Sequence, residues 1–210
     1  MAKPPDYTKP DHYARKAKEQ GYAARSVFKL EEVDDKERLL RPGMTVLDLG
    51  ASPGSWAQYA SEKVGARGLV VGVDIKPLSR QARPNEVFIL GDAFELDPAS
   101  LPVPRFDLVL SDMMPNTIGH KAADHYRSMA IAERALWLCD RLLKPGGAFL
   151  VKVFQGADFE GYRKLMRERF GAVKIKKPKS SRPNSREMYL LGLEKKKEEQ
   201  NGSEEVGSAR

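Results

Sequence analysis

Seven short apolar runs separated by helix-forming stretches constrain this chain more than any other feature. The runs are Met44–Leu49, Leu69–Asp74, Val87–Leu90, Phe106–Ser111, Ala148–Phe154, one beginning at Val173–Ile175, and Met188–Leu193. Most are apolar at consecutive positions rather than alternating, as strands buried on both faces are. Helices are expected over Ser55–Val64, Ala123–Leu143 and Phe159–Phe170, with Pro145-Gly146-Gly147 breaking the second. Two more precede the first strand. One is capped by Asp11, runs to about Gln20 and stops at Gly21; the other covers Ala24 to about Lys36, before the turn at Arg41-Pro42-Gly43. The pattern predicts an α/β fold, a mostly parallel sheet with helices on both faces, and places function at the carboxyl ends of the strands. Residues 10–193 are read as one domain with a helical extension over 10–41, residues 1–9 as a flexible segment, and 194–210 as a disordered charged tail.

Composition excludes several classes. At 210 residues and 41% hydrophobic, the chain holds enough apolar surface for one core. No run reaches the roughly 18 apolar residues of a membrane span. The opening Met-Ala-Lys-Pro-Pro-Asp has no apolar signal core, so a cytoplasmic location is expected. A single cysteine, Cys139, excludes an intrachain disulfide and is read as a core helix residue, with Trp137 beside it also core. His12, His120 and His125 share no ligand spacing; they are read as surface residues, and no metal is expected.

The net charge of +7 is unevenly distributed. Residues 1–29 carry 7 basic and 3 acidic groups, residues 163–186 carry 10 and 1, and residues 30–162 carry 15 and 19. If the fold joins the two basic stretches, they form one face suited to a polyanion.

The strongest local signal is Val46-Leu47-Asp48-Leu49-Gly50-Ala51-Ser52-Pro53-Gly54-Ser55-Trp56, an apolar strand turning through glycines into a helix. Such a turn lets a ligand approach backbone N–H groups at the positive end of a helix. Its spacing is neither the dinucleotide fingerprint nor a P-loop. Asp74 ends the next strand, where a carboxylate can accept ribose hydroxyls, and Asp92 follows the third strand at a position suited to adenine. Asp112 ends the fourth strand in Ser111-Asp112-Met113-Met114-Pro115-Asn116. Lys152 sits inside the apolar Phe149-Leu150-Val151-Lys152-Val153-Phe154, where a lysine needs a partner. Glu187 opens the last strand; if that strand is antiparallel, it meets Asp112 and Lys152 at one sheet edge. Lys29 lies one helical turn after Arg25.

Together, Asp-Leu-Gly-Ala-Ser-Pro-Gly-Ser-Trp, Ser-Asp-Met-Met-Pro-Asn, Val-Lys-Val-Phe-Gln-Gly and Ser-Arg-Glu-Met-Tyr resemble the FtsJ/RrmJ-type ribosomal RNA 2′-O-methyltransferases, as does Tyr22-Ala-Ala-Arg-Ser-Val-Phe-Lys-Leu30. The resemblance spans about residues 10–193. One departure is Ser55, where the family often has glycine; serine suits a helix start. The resemblance implies a Rossmann-like seven-stranded sheet with an antiparallel last strand, S-adenosyl-L-methionine as cofactor, and a catalytic set of Lys152, Asp112, Lys29 and Glu187. It places Gly50, Gly54, Trp56, Asp74, Asp92 and Asp112 at the cofactor. Methyl transfer to a ribose hydroxyl requires positioning that hydroxyl and removing its proton. Lys152 is the candidate base if it loses its own proton. If the carboxylates hold it charged, it orients the hydroxyl and stabilises the alkoxide, with Glu187 orienting Lys152. Arg15, Lys16, Lys18, Arg25, Lys174, Lys176, Lys177, Lys179, Arg182 and Arg186 are the candidate RNA contacts, with binding that weakens steeply with salt. The implied substrate is a uridine of 23S rRNA within the large ribosomal subunit, methylated by a monomer. The alternatives are a transfer-RNA 2′-O-methyltransferase and a non-catalytic ribosome assembly factor of the same fold.

Overall fold

The computed structural model describes residues 11–115, 121–182 and 185–197. The expected N-terminal segment, His120 and most of the expected tail lie outside them.

Seven strands form one sheet: β1 (Thr45–Leu49), β2 (Leu69–Asp74), β3 (Glu86–Leu90), β4 (Phe106–Ser111), β5 (Leu143–Phe154), β6 (Phe170–Lys176) and β7 (Glu187–Lys195). Their order is β3-β2-β1-β4-β5-β7-β6. The first five pair in parallel, and β7 runs antiparallel to both β5 and β6. The apolar runs reflect burial on two faces. Val46, Leu108, Leu110, Leu150 and Leu191 face one core with helices α1 (His12–Glu19), α2 (Val27–Glu37) and α3 (Ser55–Val64). Leu47, Val109, Phe149, Val151 and Leu190 face the other, against α4 (Lys121–Leu142) and α5 (Phe159–Arg169). Period-two side-chain alternation therefore assigns Asp48 and Lys152 to the α1–α3 side. Among the described residues no helix is long and apolar enough to cross a membrane.

Most boundaries fall within a residue or two of expectation, and the exceptions have local causes. Asp11 caps α1 as expected, its Oδ1 accepting from the Ala14 N–H at 2.9 Å. Helix α2 begins at Val27 rather than Ala24, because the N–H groups of Val27, Phe28 and Lys29 bond three residues back, a turn tighter than α. Strand β5 starts at Leu143, before the Pro145-Gly146-Gly147 break, because Leu143 already pairs with Phe106 across an irregularity in the ladder. Trp137 is not core: it is 37% exposed and lies between the guanidinium groups of Arg134 and Arg141, at 4.0 and 3.6 Å from its ring. It sits outside the α4 stripe of Ala132, Ala135, Leu138, Cys139 and Leu142, and cations cover its faces instead. Cys139 is fully buried, and burial pushes its thiol above the ordinary value.

Strand β7 runs through Lys195, two residues past the expected strand end at Leu193 and into the expected tail. Lys195 is buried, and its Nζ donates to the carbonyls of Cys139 (3.3 Å), Leu143 (3.4 Å) and Asp140, at the end of α4. An ammonium group there satisfies carbonyls that the helix leaves unbonded and opposes its negative dipole end. Lys195→Met is expected to lower unfolding free energy by about 2 kcal/mol, read from the urea midpoint at constant slope. An unchanged midpoint would refute this capping role.

Candidate active site

The strand ends after β1, β2, β3 and β4 border a cleft of about 320 Å³, lined in part by Gly50, Asp74, Asp92, Asp112 and Met113. Gly50 has φ +80°, and a Cβ there would stand 2.8 Å from the backbone N and Cα of Met113. Only glycine lets the loop after β1 pack this closely on the loop after β4. The Asp74 carboxylate accepts the Ser52 N–H at 2.9 Å and the Lys76 N–H at 2.8 Å, which ties the glycine turn to the end of β2. Asp92 accepts the Phe94 N–H at 2.9 Å. The apolar Ile75, Phe94 and Met114 line the same cleft, each about half exposed or more.

Gly54 and Trp56 do not line the cleft. Trp56 is buried, and its Nε1–H donates to the Ser26 carbonyl at 2.7 Å. The Gly54 carbonyl accepts from the Arg80 guanidinium at 3.0 and 3.2 Å. Both shape the α3 start from behind, because the helix turns its first residues inward onto α2. Ser55, the departure from glycine, has its hydroxyl 2.8 Å from that of Ser26.

Next to the cleft, the four charged candidates form two ion pairs. Lys152, 7% exposed, donates from Nζ to the Asp112 carbonyl at 2.6 Å and lies 3.1 Å from its Oδ1. Lys29 Nζ lies 2.6 Å from Glu187 Oε1. The antiparallel register explains the grouping. Lys152 is opposite Tyr189 and Glu187 is opposite Phe154, so Lys152, Glu187 and Tyr189 stand on one face of the sheet. The expected pairing of Glu187 with Lys152 gives way to Glu187 with Lys29, because α2 packs over this face and delivers Lys29 to the start of β7. The residue that joins the pairs is Tyr189. Its hydroxyl donates to Asp112 Oδ1 at 2.8 Å, its ring lies 6.0 Å from Lys29 Nζ, and Trp56 packs on it at 5.8 Å. Burial, and then the Asp112 carboxylate, raise the Tyr189 phenol well above its ordinary value, so it remains a donor. Its position two residues after Glu187 in an antiparallel strand was the available signal.

Asp48 is the second residue that sequence reasoning passed over. It is fully buried on β1, and neither carboxyl oxygen has a hydrogen-bond partner. Burial first, then the charges of Asp112 and Asp74, push its carboxyl up to about 8, opposed only by the nearby Ala57 N–H, which falls outside hydrogen-bond geometry. The folded protein therefore keeps a proton that the unfolded chain releases above the ordinary carboxyl range. Stability contributed by this group falls as pH rises towards 8. Asp48→Asn is expected to lose less thermal stability than wild type between pH 5 and 8. Parallel melting curves over that range would disprove it.

The candidate RNA contacts divide. Lys174 and Lys176 are both bonded to the Glu37 carboxylate at the end of α2, the first at 2.6 Å. Arg25 pairs with Asp11 and donates to the Ser180 carbonyl. Lys16 lies 4.4 Å from the centre of the Phe28 ring. These four also tie α1, α2 and β6 to one another, and Lys174 does so with its side chain 47% exposed. Arg15, Lys18, Lys177, Lys179, Arg182 and Arg186 are exposed.

Comparison with known proteins agrees with this geometry. The FtsJ-like methyltransferase profile matches residues 22–195. A protein of Desulfatibacillum aliphaticivorans, described as ribosomal RNA large subunit methyltransferase E, is 50% identical over 188 residues, 89% of this chain and 91% of that one. The protein of the same description from Bdellovibrio bacteriovorus is 47% identical over 195 residues, 90% of this chain and 99% of that one. A crystal structure of a Plasmodium falciparum ribosomal RNA methyltransferase superposes with a TM-score of 0.73 at 27% identity, covering 83% of this chain and 98% of that one. With a family profile spanning both the cleft and the two ion pairs, the chain belongs to the FtsJ-like methyltransferases.

Proposed function

We propose that the protein transfers a methyl group from S-adenosyl-L-methionine to a ribose 2′-hydroxyl of a uridine in 23S rRNA, on the large ribosomal subunit. The observation that carries this reading is the buried Lys152, held by Asp112 immediately beside a cleft that Asp112 itself lines. The cleft chemistry fits the cofactor. Ile75, Phe94 and Met114 would offer apolar surface to an adenine ring, Asp74 would have carboxylate lone pairs for ribose hydroxyls, and Asp92 would serve the adenine edge. When bound, the cofactor supplies an electrophilic methyl group on a sulfonium centre.

The protein's own residues do the rest. Asp112 spends its carbonyl and Oδ1 on Lys152 and receives the Tyr189 hydroxyl, which leaves Nζ one bonding direction for the ribose. As a lone pair, that direction accepts the hydroxyl proton; as a third N–H, it stabilises the alkoxide that forms. Lys29 and Glu187 flank this position as a neutral pair, so they add polar contacts without net charge. The exposed Lys177, Lys179 and Arg186 supply phosphate contacts, which orient RNA without reading its sequence. The same reading carries a cytoplasmic location and action as a monomer.

The test uses labelled S-adenosyl-L-methionine with large subunits, small subunits and bulk transfer RNA, all lacking the modification. Label at a ribose of the large-subunit RNA is expected. Label on transfer RNA alone would move the protein to another branch of the family. Bound cofactor with no transfer to any RNA would favour an assembly role.

A further inference from the structure

The side of α2 that carries Lys29 makes a series of polar contacts with the hairpin of β6 and β7. Arg25, in the turn before α2, donates to the Ser180 carbonyl. Lys29 pairs with Glu187. The Glu32 carboxylate accepts two consecutive backbone N–H groups, Lys179 at 2.7 Å on Oε2 and Ser180 at 2.8 Å on Oε1. Spacings of four and three residues place these side chains on one helix face. Lys179 and Ser180 belong to the connection between β6 and β7, outside the paired residues of either strand.

Two observations separate Glu32 from an ordinary packing residue. First, the ladder of β6 on β7 and the bonds from Lys174 and Lys176 to Glu37 already fix the hairpin strands to one another and to α2. Among the described residues, the Glu32 carboxylate hydrogen-bonds to the connection alone. Second, Ser180 and Ser181 are buried with hydroxyl oxygens that have no partner. Buried unpaired hydroxyls disfavour this placement. The connection therefore stays where it is through its backbone, and Glu32 supplies two of those backbone bonds.

We infer that Glu32 is a positioning residue for RNA engagement: its carboxylate holds the 177–182 connection against α2, so that Lys177, Lys179 and the nearby Arg186 meet RNA phosphates at a fixed height beside Lys29 and Glu187. The inference rests on the reading of the protein as an RNA methyltransferase. It assigns Glu32 no contact with the reacting atoms.

The experiment compares wild type, Glu32→Ala and Glu32→Gln as full chains. KM and kcat are measured on unmodified large subunits, and filter binding gives Kd for a 23S rRNA transcript without any methyl transfer. Glu32→Ala is expected to raise KM and Kd about tenfold, the effect of losing one or two phosphate contacts, and to flatten the dependence of log Kd on log salt. Its kcat and cofactor affinity stay within about twofold of wild type, because the site residues keep their partners. Glutamine retains one acceptor and falls between. The deciding arm repeats Glu32→Ala in a Lys177→Ala/Lys179→Ala/Arg186→Ala background, where it should add little, since it acts through those cations. The full tenfold rise in that background overturns the inference. So does an unchanged KM, or a fall in kcat and melting temperature without a change in salt slope. If Glu32→Ala fails to fold, Glu32→Gln carries the same comparison. Wild-type protein that neither binds nor methylates the RNA overturns the functional reading and this inference with it. Active wild type beside an unchanged Glu32→Ala overturns this inference alone.

Discussion

Lys152→Ala should lower kcat for methyl transfer on the order of 10³-fold while leaving cofactor affinity within about twofold. The separation follows from where the lysine stands. It contacts Asp112 from the α1–α3 side of the sheet and is not among the residues lining the cleft. Removing it leaves Asp112 with the Tyr189 hydroxyl as donor, so the cleft wall keeps its shape. Single-turnover transfer and calorimetric cofactor binding, run on the same preparation, check both halves. Loss of cofactor binding would show that the lysine serves the cleft rather than the ribose. Lys152→Arg distinguishes the two chemical roles of Nζ. A guanidinium keeps the charge but does not give up a proton at working pH. We expect Lys152→Arg to be as inactive as Lys152→Ala, as proton acceptance by Nζ requires. Substantial recovery with arginine would assign the lysine to alkoxide stabilisation instead.

Gly50→Ala should weaken cofactor binding about 10²-fold. A non-glycine residue at φ +80° is disfavoured by roughly 1–2 kcal/mol. The new methyl would also meet the Met113 backbone, which cannot swing aside as a side chain can. Together these effects come to about 3 kcal/mol, which is about two decades in affinity. Met113 follows Asp112, so the displacement reaches the lysine partner as well, and kcat should fall alongside affinity. Calorimetry with the cofactor and with its demethylated product measures the first effect. Unchanged affinity for both would mean that the loop after β4 yields freely.

How far the sequence could be read depended on whether a feature was local. Apolar runs and their flanking Gly, Pro and Asp residues identified every strand, most clearly the central ones, where burial on two faces leaves a pattern within six or seven residues. Asp74, Asp92 and Asp112 could be placed because each ends a strand or follows one within two residues. Partner choice across the sheet was not local. Glu187 was read as serving Lys152, yet it binds Lys29, since the docking of α2 decides which cation reaches it. Lys174 and Lys176 read as surface cations until Glu37, 137 residues from the first of them, is brought alongside. Trp56 belongs to a glycine-turn motif that the resemblance assigns to the cofactor, and only the packing of α3 on α2 reveals that its ring points into the core. Lys195 read as the beginning of a charged tail, because nothing near it in sequence announces the α4 carbonyls it caps.

The sheet order also bears on synthesis. Strand β7 is made last, yet it lies between β5 and β6. As the polypeptide emerges, β6 has no neighbour in the sheet until β7 inserts, and the exposed edge of β5 waits for the same event. The emerging chain thus presents two open strand edges late in its production, the circumstance in which incomplete domains meet wrong partners. Two of the residues around the lysine, Glu187 and Tyr189, arrive on that final strand. A nascent chain can assemble the cleft from β1 to β4 well before Glu187 and Tyr189 arrive to complete the two ion pairs beside it.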